Sequence, residues 1–314
     1  MITQQNKTNK TMINYTIVVP HKNSPDLLKR CLNSIPPRDD VKVVVVDDNS
    51  SDVDAVKNVV SDYGHAHLIL ATEGLGAGHC RNVGVENAEG RWILFSDADD
   101  FFHEGFLDVC DKYIESDNDI VFFDVDCCYS ETLEPAPSRN KTINPGIKSG
   151  NLEHLKWLVM PVWSKLFSLK LVKGNNIKFD EVISSNDVMF TYQCSHYAQK
   201  CSIDKFVIYC NTVNYNSLCY KINIKNIESR IGVRIRANKY LKDIGKNEYH
   251  GNLFSLYLYY KDLGAGLFFK KFIEYLRVSS IEFIYMDLKI SVKHFLKKKI
   301  NGEKSGRSSQ KITR

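Results

Sequence analysis

The sequence predicts an α/β protein with a mixed, mostly parallel sheet flanked by helices and a helical C-terminal extension. Three observations lead there. Apolar β-rich runs alternate with helix-periodic segments from residue 15 to about residue 125, as expected of parallel strands joined by crossover helices. The run 41–46 (VKVVVV) is almost continuously β-branched, the pattern of a strand covered on both faces. From about residue 226 onward the pattern turns helical and rich in aromatics and lysine.

The elements follow in order. The first strand, 15–19, runs into Pro20. Ser24-Pro25 reads as a helix N-cap followed by proline at the first helical position, where a missing N–H costs nothing. Leu27, Leu28, Cys31, Leu32 and Ile35 then recur at helical spacing. Asp47-Asp48-Asn49-Ser50-Ser51 breaks the second strand with turn chemistry, and 52–63 reads as a second helix. Residues 68–71 form a third strand, 74–78 (GLGAG) a flexible loop and 80–88 a third helix. A fourth strand, 92–95, ends in Ser96-Asp97-Ala98-Asp99-Asp100. Another helix and the strand 120–125 follow. Residues 127–150 are rich in Pro, Asn, Ser and Thr and read as a long loop over the site. Residues 152–179 are mixed, 186–198 read as a helix with Asp187 in its first turn, and 202–210 read as a strand. The expected organisation is a disordered leader over 1–12 with Met12 as an alternative start, an α/β domain over 13–215, a helical extension over 216–300 and a basic disordered tail over 301–314.

Composition narrows the function classes. The 314 residues are 43% hydrophobic and 25% charged, which supports a self-sufficient core and excludes bulk disorder. No apolar run approaches the roughly 18–20 residues of a membrane span, and the N-terminus lacks the apolar centre of a secretory signal. Nine cysteines, an odd number with no CxxC pair, point to reduced buried thiols in a cytosolic protein. The formal charge of +5 is uneven: residues 287–314 hold nine Lys or Arg against two acids. Overlapping that stretch, Ile281, Ile284, Leu288, Val292, Phe295 and Leu296 share one helical face, with Lys289, Lys293, Lys297 and Lys298 mostly elsewhere. Such a basic amphipathic helix either docks on an anionic cytoplasmic membrane surface or packs on the core with its lysines solvated. No nucleic-acid recognition motif accompanies the basic tail. The expected location is cytoplasmic, peripheral on the inner face of the membrane.

Two acid clusters carry the chemistry. Asp97, Asp99 and Asp100 repel one another unless water or a hard cation intervenes. Mg²⁺ or Mn²⁺ takes carboxylate oxygens and shares them with substrate phosphates, although acidic turns also cap helices. Asp47 and Asp48 suit the N–H of a nucleobase or ribose hydroxyls, and they are equally good turn residues. Both clusters follow strands at the rim where open α/β sheets bind ligands. The GLGAG loop does not read as a dinucleotide fingerprint. Its third glycine position falls on His79 or Arg81, and the loop follows the third strand, not the first. It suits close approach to phosphates, with Arg81 as a cationic donor.

Together, TIVVPHKN, VVVVDDNSSD and GLGAGHCRNVGVENAEGRWILFSDADD resemble family-two inverting glycosyltransferases of the GT-A fold. The similarity continues in VWSKLFS, with Ser164 where the family has Asn, and in FDEVISSNDVMF, with Asn186-Asp187 where many members have Glu-Asp. It extends to about Cys210. The resemblance implies a nucleotide-sugar donor, a UDP-sugar first, a divalent metal cofactor (Mn²⁺ or Mg²⁺) and a glycan or lipid-linked acceptor. It implies that Pro20, His21 and Asn23 line the nucleotide pocket and that Asp48, with Asp47 close by, recognises the base. Asp99 becomes the metal ligand and Asp97 the ribose holder or metal assistant, with Asp100 supporting the loop. Asp187 becomes the general base, Trp163 lines the acceptor side and Lys165 supports that wall. Transfer to a polyprenyl phosphate is the nearest alternative activity. A non-catalytic sugar-nucleotide or membrane-binding protein is the alternative of a different class.

Overall fold

A computed structural model describes residues 12–137, 140–213 and 223–300, with side chains as far as residue 292. The leader before residue 12, the tail after residue 300, and the side chains of Lys293, Phe295, Leu296, Lys297 and Lys298 lie outside the described residues. In chain order the first elements are β1 (Tyr15–His21), α1 (Pro25–Asn33), β2 (Val41–Asp47), α2 (Val53–Ser61), β3 (Ala66–Leu70), α3 (Ala77–Glu86) and β4 (Trp92–Phe95). Next come β5 (Phe101–Phe102), α4 (Phe106–Asp111), β6 (Ile120–Tyr129), α5 (Ile143–Ser149), α6 (Leu152–Leu158), β7 (Lys165–Ser168), α7 (Leu169–Gly174), α8 (Val188–Tyr197) and β8 (Cys201–Val213). The extension comprises α9 (Ile224–Asp243), α10 (Phe254–Tyr257), α11 (Ala265–Val278) and α12 (Ile281–Ile300).

The eight strands form one sheet in the order β3-β2-β1-β4-β7-β6-β8-β5. The first four strands of that order are parallel, β7 runs antiparallel to β4 and β6, and β8 returns parallel to β6. The parallel half therefore delivers the ends of β1, β2 and β4 to one rim, which is where the acid clusters stand. The valines of β2 are buried throughout, as a two-sided strand requires. Helix α3 lies close against β1: a Cβ on Gly84 would come within 2.2 Å of Val18, so only glycine permits this approach. The eight described cysteines are unbridged, and seven of them are buried.

Three segments differ from the sequence reading. Residues 127–150 are not a continuous loop, because β6 runs on through Tyr129 and α5 occupies Ile143–Ser149. Pairing with the long strand β8 from Ile120 to Tyr129 holds Cys127 and Cys128 extended, where weak periodicity had suggested a loop. Helix α3 begins at Ala77, inside the glycine run. Ser24 stands at the N-cap of α1 without a side-chain cap; its hydroxyl donates back to the Lys22 carbonyl at 3.1 Å. Among the described residues no helix is long and apolar enough to cross a membrane.

Candidate active site

At the β1–β2 rim the two neighbouring aspartates face different ways. Register pairs His21 with Asp47, and both are buried. Asp47 Oδ1 accepts from the Ser50 hydroxyl at 2.6 Å and from His21 Nδ1 at 2.8 Å, and Oδ2 accepts from the Ser50 amide at 2.8 Å. His21 Nε2 in turn accepts from the Ser24 amide at 3.1 Å, so its proton sits on Nδ1. Burial pushes the Asp47 carboxyl up, but the two Ser50 bonds and His21 prevail and hold it below the ordinary carboxylate value. Asp47 and His21 therefore brace the rim from inside. Asn23, with φ at 51°, ties the two loops together: its amide donates to Ser50 and its side chain accepts from the Ser51 amide at 2.8 Å. Pro20 is buried at the strand end.

Asp48 points the other way, into the loop 74–78. Its Oδ1 accepts the Gly76 amide at 2.8 Å and its Oδ2 pairs with Lys22 Nζ at 2.9 Å. A Cβ on Gly74 would lie 2.6 Å from that Nζ, and Gly76 sits at φ 92°. The glycines thus let the loop close over the Asp48–Lys22 pair, so the rim amide of Gly76 is held by a carboxylate of the chain itself.

After β4, Asp97, Asp99 and Asp100 bring carboxylate oxygens within 4.8 Å of one another. Asp100 is buried and accepts three bonds, from Tyr209 Oη at 2.9 Å, Asn211 at 3.0 Å and the Thr212 amide at 2.7 Å. Tyr209 also takes the Asp97 amide at 3.0 Å, and Trp163 stacks on its ring with centroids 5.5 Å apart. Arg30 and Thr212 hold the Asp99 carbonyl. The turn is therefore built by β8 and α1, with Asp100 as its anchor. Hard oxygen donors at this spacing fit a small divalent cation.

Arg81 joins this turn to the third segment. It is buried; one guanidinium nitrogen reaches Asp97 at 2.5 Å, another reaches Asn186 at 2.7 Å, and its charge lies 5.5 Å from the Phe179 ring centroid. Asn186 immediately precedes Asp187, which is half-buried at the N-terminus of α8 and does not cap it. A Cβ on Gly78 would strike the Asp180 carbonyl at 2.1 Å, so α3 and the loop 180–187 meet backbone to backbone. Burial raises the Asp187 carboxyl above its ordinary value, opposed by Arg81. The extension backs the same loop. Ser229 exchanges two bonds with the Ser184 backbone, and Arg236 pairs with Asp180 at 2.7 Å. Ser185 adopts φ 64° within it, a local strain of the kind that accumulates at functional sites.

The structure thus brings Asp97, Asp99, Arg81 and Asp187 around the first turns of α3, with Asp48 at their side. Trp163 joins through Tyr209. Lys165 is fully enclosed: its Nζ donates to the Val159 carbonyl at 2.7 Å, above the Phe122 ring. It stiffens the wall from within. Burial pushes its ammonium down to about 7, against the pull of Asp187 and Cys194. Between pH 7 and its ordinary value of 10.5 the unfolded chain holds a proton that the folded chain has lost, so stability rises with pH there. Denaturant titrations of Lys165→Met at pH 7 and pH 10 are expected to show a flatter slope than the parent protein. An unchanged slope would mean that the native ammonium keeps its proton.

Three residues escaped the sequence reading. Lys22 stands inside PHKN, and a cation directly after a strand at a ligand rim was the available signal. Asn186 was noticed only as a substitution within a motif. Tyr209 carried no local signal, because its partner Asp100 is 109 residues away.

A Rossmann-like half-sheet with carboxylates converging at its carboxyl rim, widened by a mixed half flanked by α8, is the architecture of GT-A glycosyltransferases. The chain belongs to glycosyl transferase family 2, whose family profile matches residues 16–173. It is 27% identical over 199 residues to the uncharacterized glycosyltransferase YibD of Escherichia coli K12, covering 59% of this chain and 56% of that one. Over 202 residues it is 28% identical to the poly(ribitol-phosphate) beta-N-acetylglucosaminyltransferase TarS of Staphylococcus aureus, covering 61% of this chain and 34% of TarS. The chain thus spans about half the length of YibD and a third of TarS. The crystal structure of TarS 1-349 in complex with UDP-GlcNAc superimposes with a TM-score of 0.62 at 21% identity, over 79% of this chain and 73% of that one. The mannosyltransferase PcManGT of Pyrobaculum calidifontis, solved with GDP-Man and Mn²⁺, gives 0.55 at 16% identity over 88% and 84%.

Proposed function

We propose that the protein is an inverting glycosyltransferase that moves a sugar from a UDP-linked donor to a hydroxyl of a glycan or lipid-linked acceptor. The observation that carries this reading is the Arg81 bridge. One buried cation ties the Asp-x-Asp turn to the residue beside Asp187, which supports a reading in which donor-side acids and base act together. The UDP complex of TarS favours a uridine nucleotide, and the poly(ribitol-phosphate) in its name favours a polymeric acceptor. A lipid-linked acceptor would place the enzyme on the cytoplasmic face of a membrane.

Asp99, assisted by Asp97, would hold Mg²⁺ or Mn²⁺, whose Lewis acidity would neutralise charge on the departing diphosphate, with Asp100 anchoring the turn that carries them. The chain's own residues do the rest. Asp48 faces the nucleoside end of the cleft and exchanges its Lys22 pairing for the base. Arg81 holds Asp97 oriented toward the ribose. Asp187 accepts the proton of the attacking hydroxyl, with its raised carboxyl better matched to that task than a solvated aspartate. Attack occurs from the face opposite the leaving group, so one displacement inverts the anomeric centre and no enzyme nucleophile is needed.

The test is nucleotide-sugar hydrolysis and transfer, measured across a donor panel with Mn²⁺. Asp99→Ala is expected to abolish turnover and Mn²⁺-dependent UDP binding while the fold persists. Metal-dependent UDP binding that survives the substitution would remove Asp99 from this role.

A further inference from the structure

The C-terminal extension carries an apolar surface that no described element covers. On α11, Phe269 and Ile273 are 64% and 50% exposed. At the first residue of α12, Ile281 is 88% exposed, and Tyr285, Leu288 and Val292 continue along that helix at 65%, 56% and 56%. Ile281, Tyr285, Leu288 and Val292 recur at steps of four, three and four, which is one helical stripe. Neither helix is loose. Tyr275 of α11 packs against Leu253, Tyr257 and Tyr260, while the buried Asp287 of α12 accepts from the Leu253 and Phe254 amides at 2.9 and 3.0 Å and from Tyr275 Oη at 2.9 Å. The outward stripe is therefore held rigidly away from the core. This departs from the sequence reading, which put Ile284 on the same face as Leu288: Ile284 packs inward, while Ile281, Leu288 and Val292 face out.

Charge identifies what covers it. Lys270, Arg277 and Lys289 are exposed on the same two helices, and from Lys289 to the last residue the sequence holds nine Lys or Arg against one acid. Protein interfaces are depleted in lysine. An apolar stripe flanked by lysines matches the boundary of an anionic bilayer, where apolar side chains enter the acyl region and cations meet headgroups. Among the described residues no helix can span the bilayer, so the contact lies in the interface plane. We propose that α11 and α12 form a docking surface for an anionic lipid bilayer. It stands on observations separate from the catalytic cleft, and it extends the proposed function by naming the surface that brings that cleft to a lipid-linked acceptor.

Flotation of the full-length protein with phosphatidylcholine vesicles, with or without about one-third phosphatidylglycerol, tests this. Each basic residue near an anionic surface adds roughly five-fold to partitioning. Binding to the anionic vesicles is therefore expected to exceed binding to neutral ones by at least about ten-fold and to fall with salt. The triple variant Ile281→Ser, Leu288→Ser, Val292→Ser should lose at least about ten-fold, since each exposed side chain removed gives up part of the ~1.5–3 kcal/mol of apolar transfer, or several-fold per residue. Its calorimetric UDP–Mn²⁺ binding should stay unchanged. A variant that floats like the parent, or a parent that stays behind with anionic vesicles, overturns the docking surface. So does a dimer, seen by light scattering, that the same substitutions dissociate, because a second copy would then cover the stripe. Nucleotide binding is read on the same samples, so docking and the catalytic reading can fail separately.

Discussion

Asp187→Asn is expected to lower sugar transfer by ~10²–10⁴-fold, the range of a positioned general base, while UDP binding stays near the parent value. The amide keeps the shape and loses the proton acceptor. Stability provides an independent check. Burial raises the native carboxyl above its ordinary value of 3.8, so between that value and the raised one the folded chain binds more proton than the unfolded chain. Stability therefore falls as pH rises through that window. An asparagine does not titrate, so the variant should be at least as stable as the parent above the window and lose the slope within it. A variant that is both inactive and unstable would indicate a structural aspartate. One with full transfer would remove Asp187 from the chemistry. In the parent, kcat should rise with pH through a midpoint above the ordinary aspartate value, and that limb should disappear in the variant.

Arg81→Met should have the second largest effect. Arg81 is buried, and Asp97, its partner at 2.5 Å, keeps a side chain 34% exposed. Removing one member of a buried ion pair strands the other; because water still reaches Asp97, the expected loss is about 2–3 kcal/mol, below the full buried-pair penalty. For a chain of this size that lowers Tm by about 3–5 °C. Activity should fall further than stability alone explains, since a displacement of about 1 Å at a reacting group costs ~10²-fold. Arg81→Lys is not expected to rescue, because a single ammonium cannot span Asp97 and Asn186 as the guanidinium fork does. Parent-like transfer kinetics in Arg81→Met would show that the two halves of the cleft hold their positions without the bridge.

The helix of Asp187 and the strands ending in the acid clusters were legible because each is a local pattern: β-branched runs, helical spacing, turn residues. Their meeting at one rim was also legible, because parallel strands share an end. The division of labour within each cluster was implied by the family resemblance and not by the residues themselves. Asp47 and Asp48 are adjacent and chemically alike, yet pairing of β2 with β1 sets Asp47 against His21 and leaves Asp48 to the glycine loop. Asp100 differs from Asp99 only through β8, which supplies Tyr209, Asn211 and Thr212 from more than a hundred residues away. Arg81 read as a cationic donor to phosphates, and its two protein partners become visible only once α3 lies against the loop 180–187.

The extension shows the same limit at another scale. Helical periodicity identified the apolar positions of α12, but periodicity counts hydrophobic residues and does not say which neighbour they meet. The orientation is decided by Asp287, whose carboxylate is enclosed by α10 and α11 and turns Ile281, Leu288 and Val292 to the outside. The amino-acid order alone thus settled what kinds of elements form, their succession, and which acids reach the ligand rim, because those depend on interactions a few residues long. Tertiary packing alone settled which acid is an anchor and which faces the cleft, how Asp187 is held opposite the Asp-x-Asp turn, and which side of α12 is left bare. Those outcomes depend on partners brought together across roughly a hundred residues of chain, or on a competition for burial that no local pattern encodes.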